Sequence, residues 1–199
     1  ILALYERRGP RRKECVPMYD LTEFQEQMRQ RRPVPWDQLP DFPLYMDQVT
    51  MVTGEALALF ACGEKQSLLT SSMINNYVKN GLVEHPVHKK YAREHLAKLI
   101  MTSLLKQVLS IQDISVLFSG EETAEQLYGD FAAAQDSALH ETAALLQPED
   151  DEEKLRALAL RLAAEANARR AVSERILAVL SEEKASGGKE KKNAEKAKK

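Results

Sequence analysis

A chain of 199 residues with 44% apolar content can bury a core of its own, either as one large domain or as a small one with helical extensions. Its formal net charge of −2 argues against a protein that coats nucleic acid indiscriminately. No apolar run approaches the roughly 20 residues of a membrane span, and ILALYERRGPRRKE at the start lacks the form of a signal peptide, so composition predicts a soluble, cytoplasmic protein.

Charge is unevenly spread. Between Glu64 and Phe118 stand Lys65, Lys79, Lys89, Lys90, Arg93, Lys98 and Lys106 against Glu64, Glu84, Glu94 and Asp113, so the middle is locally basic. Cys15 and Cys62 are far apart and without CxxC spacing, and the histidines do not cluster. Neither a disulfide framework, nor a metal site, nor a cofactor is expected, and a reducing cytoplasm fits.

In chain order, residues 1–17 are expected to be disordered. DLTEFQEQMRQRR, residues 20–32, predicts a short helix capped by Asp20 or Thr22, with Leu21, Phe24 and Met28 on one face and Pro33 ending it. It should serve as a brace. PVPWDQLPDFP should run extended and lay Trp36, Leu39 and Phe42 onto a neighbouring helix, the tryptophan acting as an apolar anchor. From Leu44 to Cys62 the recurrence of Tyr45, Val49, Val52, Ala56 and Leu59 or Phe60 predicts a helix that Gly54 weakens and Gly63 stops.

The stretch Leu68 to Leu82, LLTSSMINNYVKNGL, carries the functional signal. Thr70 stands at an N-cap, and Ile74, Tyr77 and Val78 recur at helical spacing, while Ser72, Asn75, Asn76 and Lys79 fall elsewhere. Gly81 supplies the residue type that ends a helix in a left-handed turn, and the basic segment HPVHKKYAR follows. Two helices, a glycine stop and a basic loop suggest a helix-turn-helix with a wing, whose first helix is the one beginning at Leu44.

Beyond the wing, Tyr91 to Val108 predicts a helix with Leu96, Leu99, Ile100, Ser103, Leu104 and Val108 on its apolar face. Ser110 opens a capping box with Asp113, followed by a short helix presenting Ile111, Ile114, Leu117 and Phe118. The compact unit, residues 18–120, should end there. Residues 121–182 predict a C-terminal helical hairpin: an alanine-rich helix to Leu146, the turn QPEDD, then a helix from about Asp150 to Leu180. Asp150, Asp151, Glu152 and Glu153 suit that second helix's positive end. Its face of Leu155, Leu158, Leu162, Ala166, Val172, Ile176 and Val179 or Leu180 must fold back on the core, pair with a second subunit, or both. A homodimer through this region is the favoured reading. The Lys-rich residues 183–199 should be disordered.

The run LTSSMINNYVKNGL, with WDQLPDFPLYMDQV before it and KKYAREHLAKLI and LLKQVLSIQDI after it, resembles an uncharacterised bacterial family, a domain of unknown function, over roughly Trp36 to Phe118. That family is similar to the MerR-type winged helix-turn-helix, in which a serine-capped helix of the form SPRTIRYYEREGL precedes a wing. On this chain Thr70 takes the cap, Ile74 the buried isoleucine, Tyr77 the second tyrosine, Lys79 a basic position and Gly81 with Leu82 the exit. The resemblance implies an all-α fold with a MerR-like winged helix-turn-helix core, an N-terminal brace and the C-terminal hairpin. Where the MerR pattern has DNA-contacting arginines this chain has Ser72 and Asn75, and Asn76 replaces its first tyrosine. Asparagine can pair bidentately with adenine, so reading need not be lost with the arginines.

The expected activity is therefore sequence-specific double-stranded DNA binding by a bacterial transcriptional regulator. Ser71, Ser72, Asn75, Asn76 and Lys79 would face the major groove, and Lys89, Lys90 and Arg93 the phosphates, with His85 and His88 as solvated wing residues. The rival is a protein-interaction adaptor using the same fold. No Gly-rich phosphate loop, nucleophile elbow or HExxH motif is present, so no enzyme is expected, and Cys62 reads as core. MerR relatives sense metals or small molecules through a C-terminal region; with no cysteine after Cys62, a thiolate site like theirs is not expected.

Overall fold

Helix α4 (Arg93–Leu105) holds the centre, and its sequence explains why. His95, Leu96, Ala97, Leu99, Ile100, Met101, Thr102 and Ser103 are all buried, so it is enclosed nearly all round. The computed structural model describes residues 21–60, 68–147 and 151–196. In chain order the remaining helices are α1 (Leu21–Gln30), α2 (Met46–Leu57), α3 (Ser71–Lys79), α5 (Ile111–Leu117), α6 (Ala124–Leu145) and α7 (Glu152–Lys196). No strand occurs among the described residues, and the fold is all-α.

Around α4 pack α2 and α6. From α2 the inward residues are Val49, Thr53 and Leu57, one turn apart. Burial of hydroxyls beside α4 is tolerated because they bond back one turn: Thr53 Oγ1 donates to the Val49 carbonyl at 2.7 Å and Ser103 Oγ to Leu99 at 2.7 Å. Gly54 does not break α2, which continues to Leu57 and tightens into a 3₁₀ turn at Ala58–Phe60. Tyr45 precedes the helix, half exposed, and its backbone N–H is satisfied by Gln48 Oε1 at 2.9 Å.

Helix α1 packs on α6. Met28 packs with Leu139 and Ala143 of α6, flanked by Phe24, Leu59 and Phe60. Gln25 is buried, and its amide donates to the Ala143 carbonyl at 2.9 Å and to Leu146, satisfying two carbonyls at the end of α6 that no helical N–H can reach. Arg32 pairs with Asp136 of α6 and holds its carboxyl below the usual carboxylate range, chiefly through their hydrogen bond. A depressed folded-state pKa stabilises above the unfolded value, and the contribution disappears as pH falls through the folded one. Asp136→Asn should flatten that part of the acid limb when the thermal midpoint is followed against pH, by a small amount because the pair is exposed and screened.

Several expectations are corrected. The segment after Pro33 is not uniformly extended: Trp36–Gln38 forms a 3₁₀ turn. Leu39 is buried and Trp36 packs on the core, but Phe42 is 60% exposed. Leu44 takes the inward position, because its N–H and C=O both pair with Tyr91, at 2.9 and 2.8 Å. At the far end of α4 the helix stops at Leu105, so Val108 turns out to solvent and Leu109 is buried in its place. The Ser110 capping box forms as read, Ser110 Oγ accepting from Asp113 N at 3.1 Å and Asp113 Oδ2 accepting from Ser110 N at 3.3 Å.

The larger correction concerns the C-terminal region. The compact unit does not end near Gly120, since α6 packs along α4 and α1, and Tyr128, at 1% exposure, belongs to the main core. Its apolar side chains are thereby used within the fold, which removes the surface a hairpin with α7 would need. Helix α7 instead packs on α5, burying Leu177. It also continues as helix to Lys196. Lys, Glu and Ala are good helix formers, and extending a formed helix avoids the cost of nucleation. The expected disorder of residues 1–17, the Asp20 cap, Cys15, Cys62, Gly63, Lys65 and most of the QPEDD turn lie outside the described residues.

Candidate nucleic-acid interface

The presentation of α3 follows from its sequence. Thr70 is extended, φ −116° and ψ 160°, and its Oγ1 accepts from the Met73 N–H at 3.3 Å, an N-cap. Ile74 and, one turn on, Tyr77 and Val78 are buried, Ile74 completely. The opposite face is left to solvent, and Ser71, Ser72, Asn75, Asn76 and Lys79 are all exposed. At the exit, Gly81 has φ +73°; its N–H bonds the Val78 carbonyl and that of Leu82 bonds Tyr77, each at 3.0 Å. This is a Schellman termination, closed by buried Leu82 against Tyr77, and a side chain at position 81 would be strained by that φ.

One residue of this end was missed. Asn80 donates from Nδ2 to the Asn76 carbonyl at 2.7 Å and to Asn76 Oδ1 at 3.1 Å. The i, i+4 spacing of two amides on a helix was the available signal. It fixes the Asn76 carboxamide and engages one lone pair of its oxygen, so Asn75 is the amide of this face left exposed and untied among the described residues.

The expected wing is much reduced. Val87 and Lys90 exchange two backbone hydrogen bonds, 3.1 and 3.0 Å, across a tight turn at His88 and Lys89. Both central residues have positive φ, 52° and 64°, the geometry of a type I′ hairpin turn that asparagine and glycine normally occupy. Opposite Pro86 the ladder is at a non-hydrogen-bonded position, where Tyr91 turns its N–H and C=O the other way, onto Leu44. The result is one hairpin turn that puts His88 and Lys89 in solvent.

The basic residues do not share one environment. Lys79 and Lys89 are exposed, without an ion pair among the described residues. Lys90 lies with its ammonium 5.0 Å from the centre of the Tyr45 ring. Arg93 is half-buried on Trp36, its guanidinium carbon 5.7 Å from the ring, and its Nε is buried with no hydrogen-bond partner among the described residues. Lys98 is neutralised by Glu84, and Lys106 sits 5.8 Å from the Tyr77 ring behind α3. Burial pushes the Glu84 carboxyl up, but the Lys98 hydrogen bond and the local backbone hold it below its ordinary value. Aromatic platforms under Lys90 and Arg93 were not read from the sequence; Tyr45 and Trp36 lie too far away in the chain for spacing to reveal them.

His95, which the basic-patch reading passed over, is structural. Its Nδ1 accepts from the Ala92 N–H at 3.0 Å, closing the first turn of α4, and its ring meets Tyr91 edge-on at 5.7 Å. Among the described residues no group of three or more histidine, cysteine, aspartate or glutamate side chains could hold a metal ion, and no helix is long and apolar enough to cross a membrane.

Residues 34–131 match the model of a family described as Domain of unknown function (DUF1836). The match agrees with the resemblance to an uncharacterised family drawn over Trp36 to Phe118 and reaches further, into α6 past Tyr128. No curated protein and no solved structure matches the chain.

Proposed function

We propose that α3 and the Val87–Lys90 turn form a reading head for double-stranded DNA, and that the chain is a transcriptional regulator of MerR-like winged helix-turn-helix type. The observation that carries this reading is the division of α3: one face locked by Ile74, Tyr77 and Val78, the other offering hydroxyls, amides and Lys79 to solvent with no protein element over them among the described residues. A short rigid helix of that kind can enter a major groove and place donors and acceptors on base edges. Thr70, Ile74, Tyr77, Lys79 and Gly81 keep the MerR register, while Ser72, Asn75 and Asn76 shift the chemistry from arginine contacts to amide and hydroxyl contacts. Phosphate contact falls to Lys79, Lys89 and Lys90, with Arg93 held back on Trp36.

The adaptor reading retains one specific support. Helix α3 carries no arginine and a single lysine, and Lys98 is offset by Glu84, so the cationic field at this face is modest. The two readings separate on the salt dependence of duplex binding. Selection from a random duplex pool should enrich a site, and log affinity for it should fall linearly with log salt. Lys89→Ala together with Lys90→Ala should flatten that slope by about two units if each lysine meets a phosphate. No detectable duplex binding at low salt would overturn the DNA reading and leave the adaptor.

A further inference from the structure

Helix α7 is the element whose apolar content the fold does not use. Of its apolar residues only Leu177 is buried among the described residues, against α5, while Val172, Ile176, Val179 and Leu180 are 43–60% exposed. Three of these continue a strict alternation of threes and fours: Leu155, Leu158, Leu162, Glu165, Arg169, Val172, Ile176, Val179. That is a heptad seam, a and d positions throughout, and it drifts about 20° per heptad as a left-handed supercoil requires. Ile176 and Leu177 are neighbours in sequence and so about 100° apart around the helix, which leaves the seam's C-terminal half beside the α5 contact rather than under it.

The two charged residues in the seam decide what covers it. In a parallel pair of identical helices Glu165 would meet Glu165, and Arg169 would meet Arg169, both repulsive. Reversing one helix about Asn167 puts every a residue opposite a d residue: Leu155 with Val179, Leu158 with Ile176, Leu162 with Val172 and Glu165 with Arg169. Apolar layers then flank a pair of salt bridges on both sides, and no position is left without a matching partner. Alanines at 163, 166, 168 and 171 surround the crossover and allow close approach. Glu165 already accepts from Arg161 through one oxygen at 2.8 Å, leaving the other for an arginine across the interface.

We infer that this seam of α7, exposed from Arg169 to Val179 and half-buried from Leu155 to Glu165, is a self-complementary antiparallel coiled-coil interface, and that its occupant is the same helix of a second copy of this chain. This does not rest on DNA binding: the seam is distinct from α3, and the dimer stands whether or not α3 reads a duplex.

The test uses the full chain in sedimentation equilibrium at micromolar concentration. The wild type should be dimeric. Glu165→Arg alone, and Arg169→Glu alone, should each raise the dimer dissociation constant by about a hundredfold, because each sets like charges against each other twice at the dyad. Mixing the two variants should restore the dimer as a heterodimer, since one chain then carries arginine at both positions of the central layers and the other carries glutamate at both. Recovery on mixing excludes misfolding as the cause of the single-variant loss. A monomeric wild type, single variants that stay dimeric, or variants that do not recombine would each overturn the proposal.

Discussion

Replacing Tyr128 with alanine is expected to destabilise the protein by about 3–5 kcal/mol, the range for removing a large aromatic from a core that cannot collapse onto the void. Tyr128 is 1% exposed, its ring centre lies 6.2 Å from Trp36 and 6.3 Å from Phe131, and its hydroxyl donates to the Val34 carbonyl at 2.8 Å. One side chain therefore joins α6 to the turn that precedes α2. Burial pushes the phenol up to about 12, so it stays a neutral donor throughout the working pH range. Tyr128→Phe isolates the hydrogen bond and should cost only about 0.5–1.5 kcal/mol. Denaturant unfolding followed by circular dichroism separates the two variants, and a Tyr128→Ala midpoint close to wild type would mean that α6 is not part of the cooperative core. The same packing predicts that a chain ended at Gly120 loses cooperative unfolding altogether.

That result bears directly on how much of the fold is legible in the sequence. The local signals were strong: Thr70, Ser110 and Gly81 each do what their type and position suggest, because a cap or a left-handed turn is decided within a few residues. Individual helices followed from periodicity, and the inward set Ile74, Tyr77, Val78, Leu96 and Ile114 could be picked out by spacing. What could not be picked out was pairing between distant segments. Tyr128 and Phe131 look sparse in an alanine-rich stretch, yet tertiary packing gives them the core. Leu44 rather than Phe42 turns inward because Tyr91 supplies its backbone partner. Lys90 and Arg93 read as free charges in a basic segment; Tyr45 and Trp36, far upstream in the chain, change both environments.

Helix α3 offers the sharpest separation of stability from recognition, because its two faces should respond oppositely to truncation. Ile74→Ala should cost about 2–5 kcal/mol, since the side chain is fully buried between α3 and the core. Asn75→Ala, on the exposed face, should change stability by no more than about 0.5 kcal/mol. If Asn75 pairs with a base, the same substitution should weaken binding to the selected duplex by about 1–3 kcal/mol while leaving affinity for unrelated duplex nearly unchanged. Asn76→Ala is the informative control. Its carboxamide is already tied to Asn80, so loss of specificity there would include a disturbed helix end, and Asn80→Ala should reproduce the part that is structural. Anisotropy titrations against selected and scrambled duplexes, beside thermal melts of the same variants, measure both quantities. Equal losses on the two duplexes would assign Asn75 to backbone positioning, and no loss on either would remove α3 from the interface.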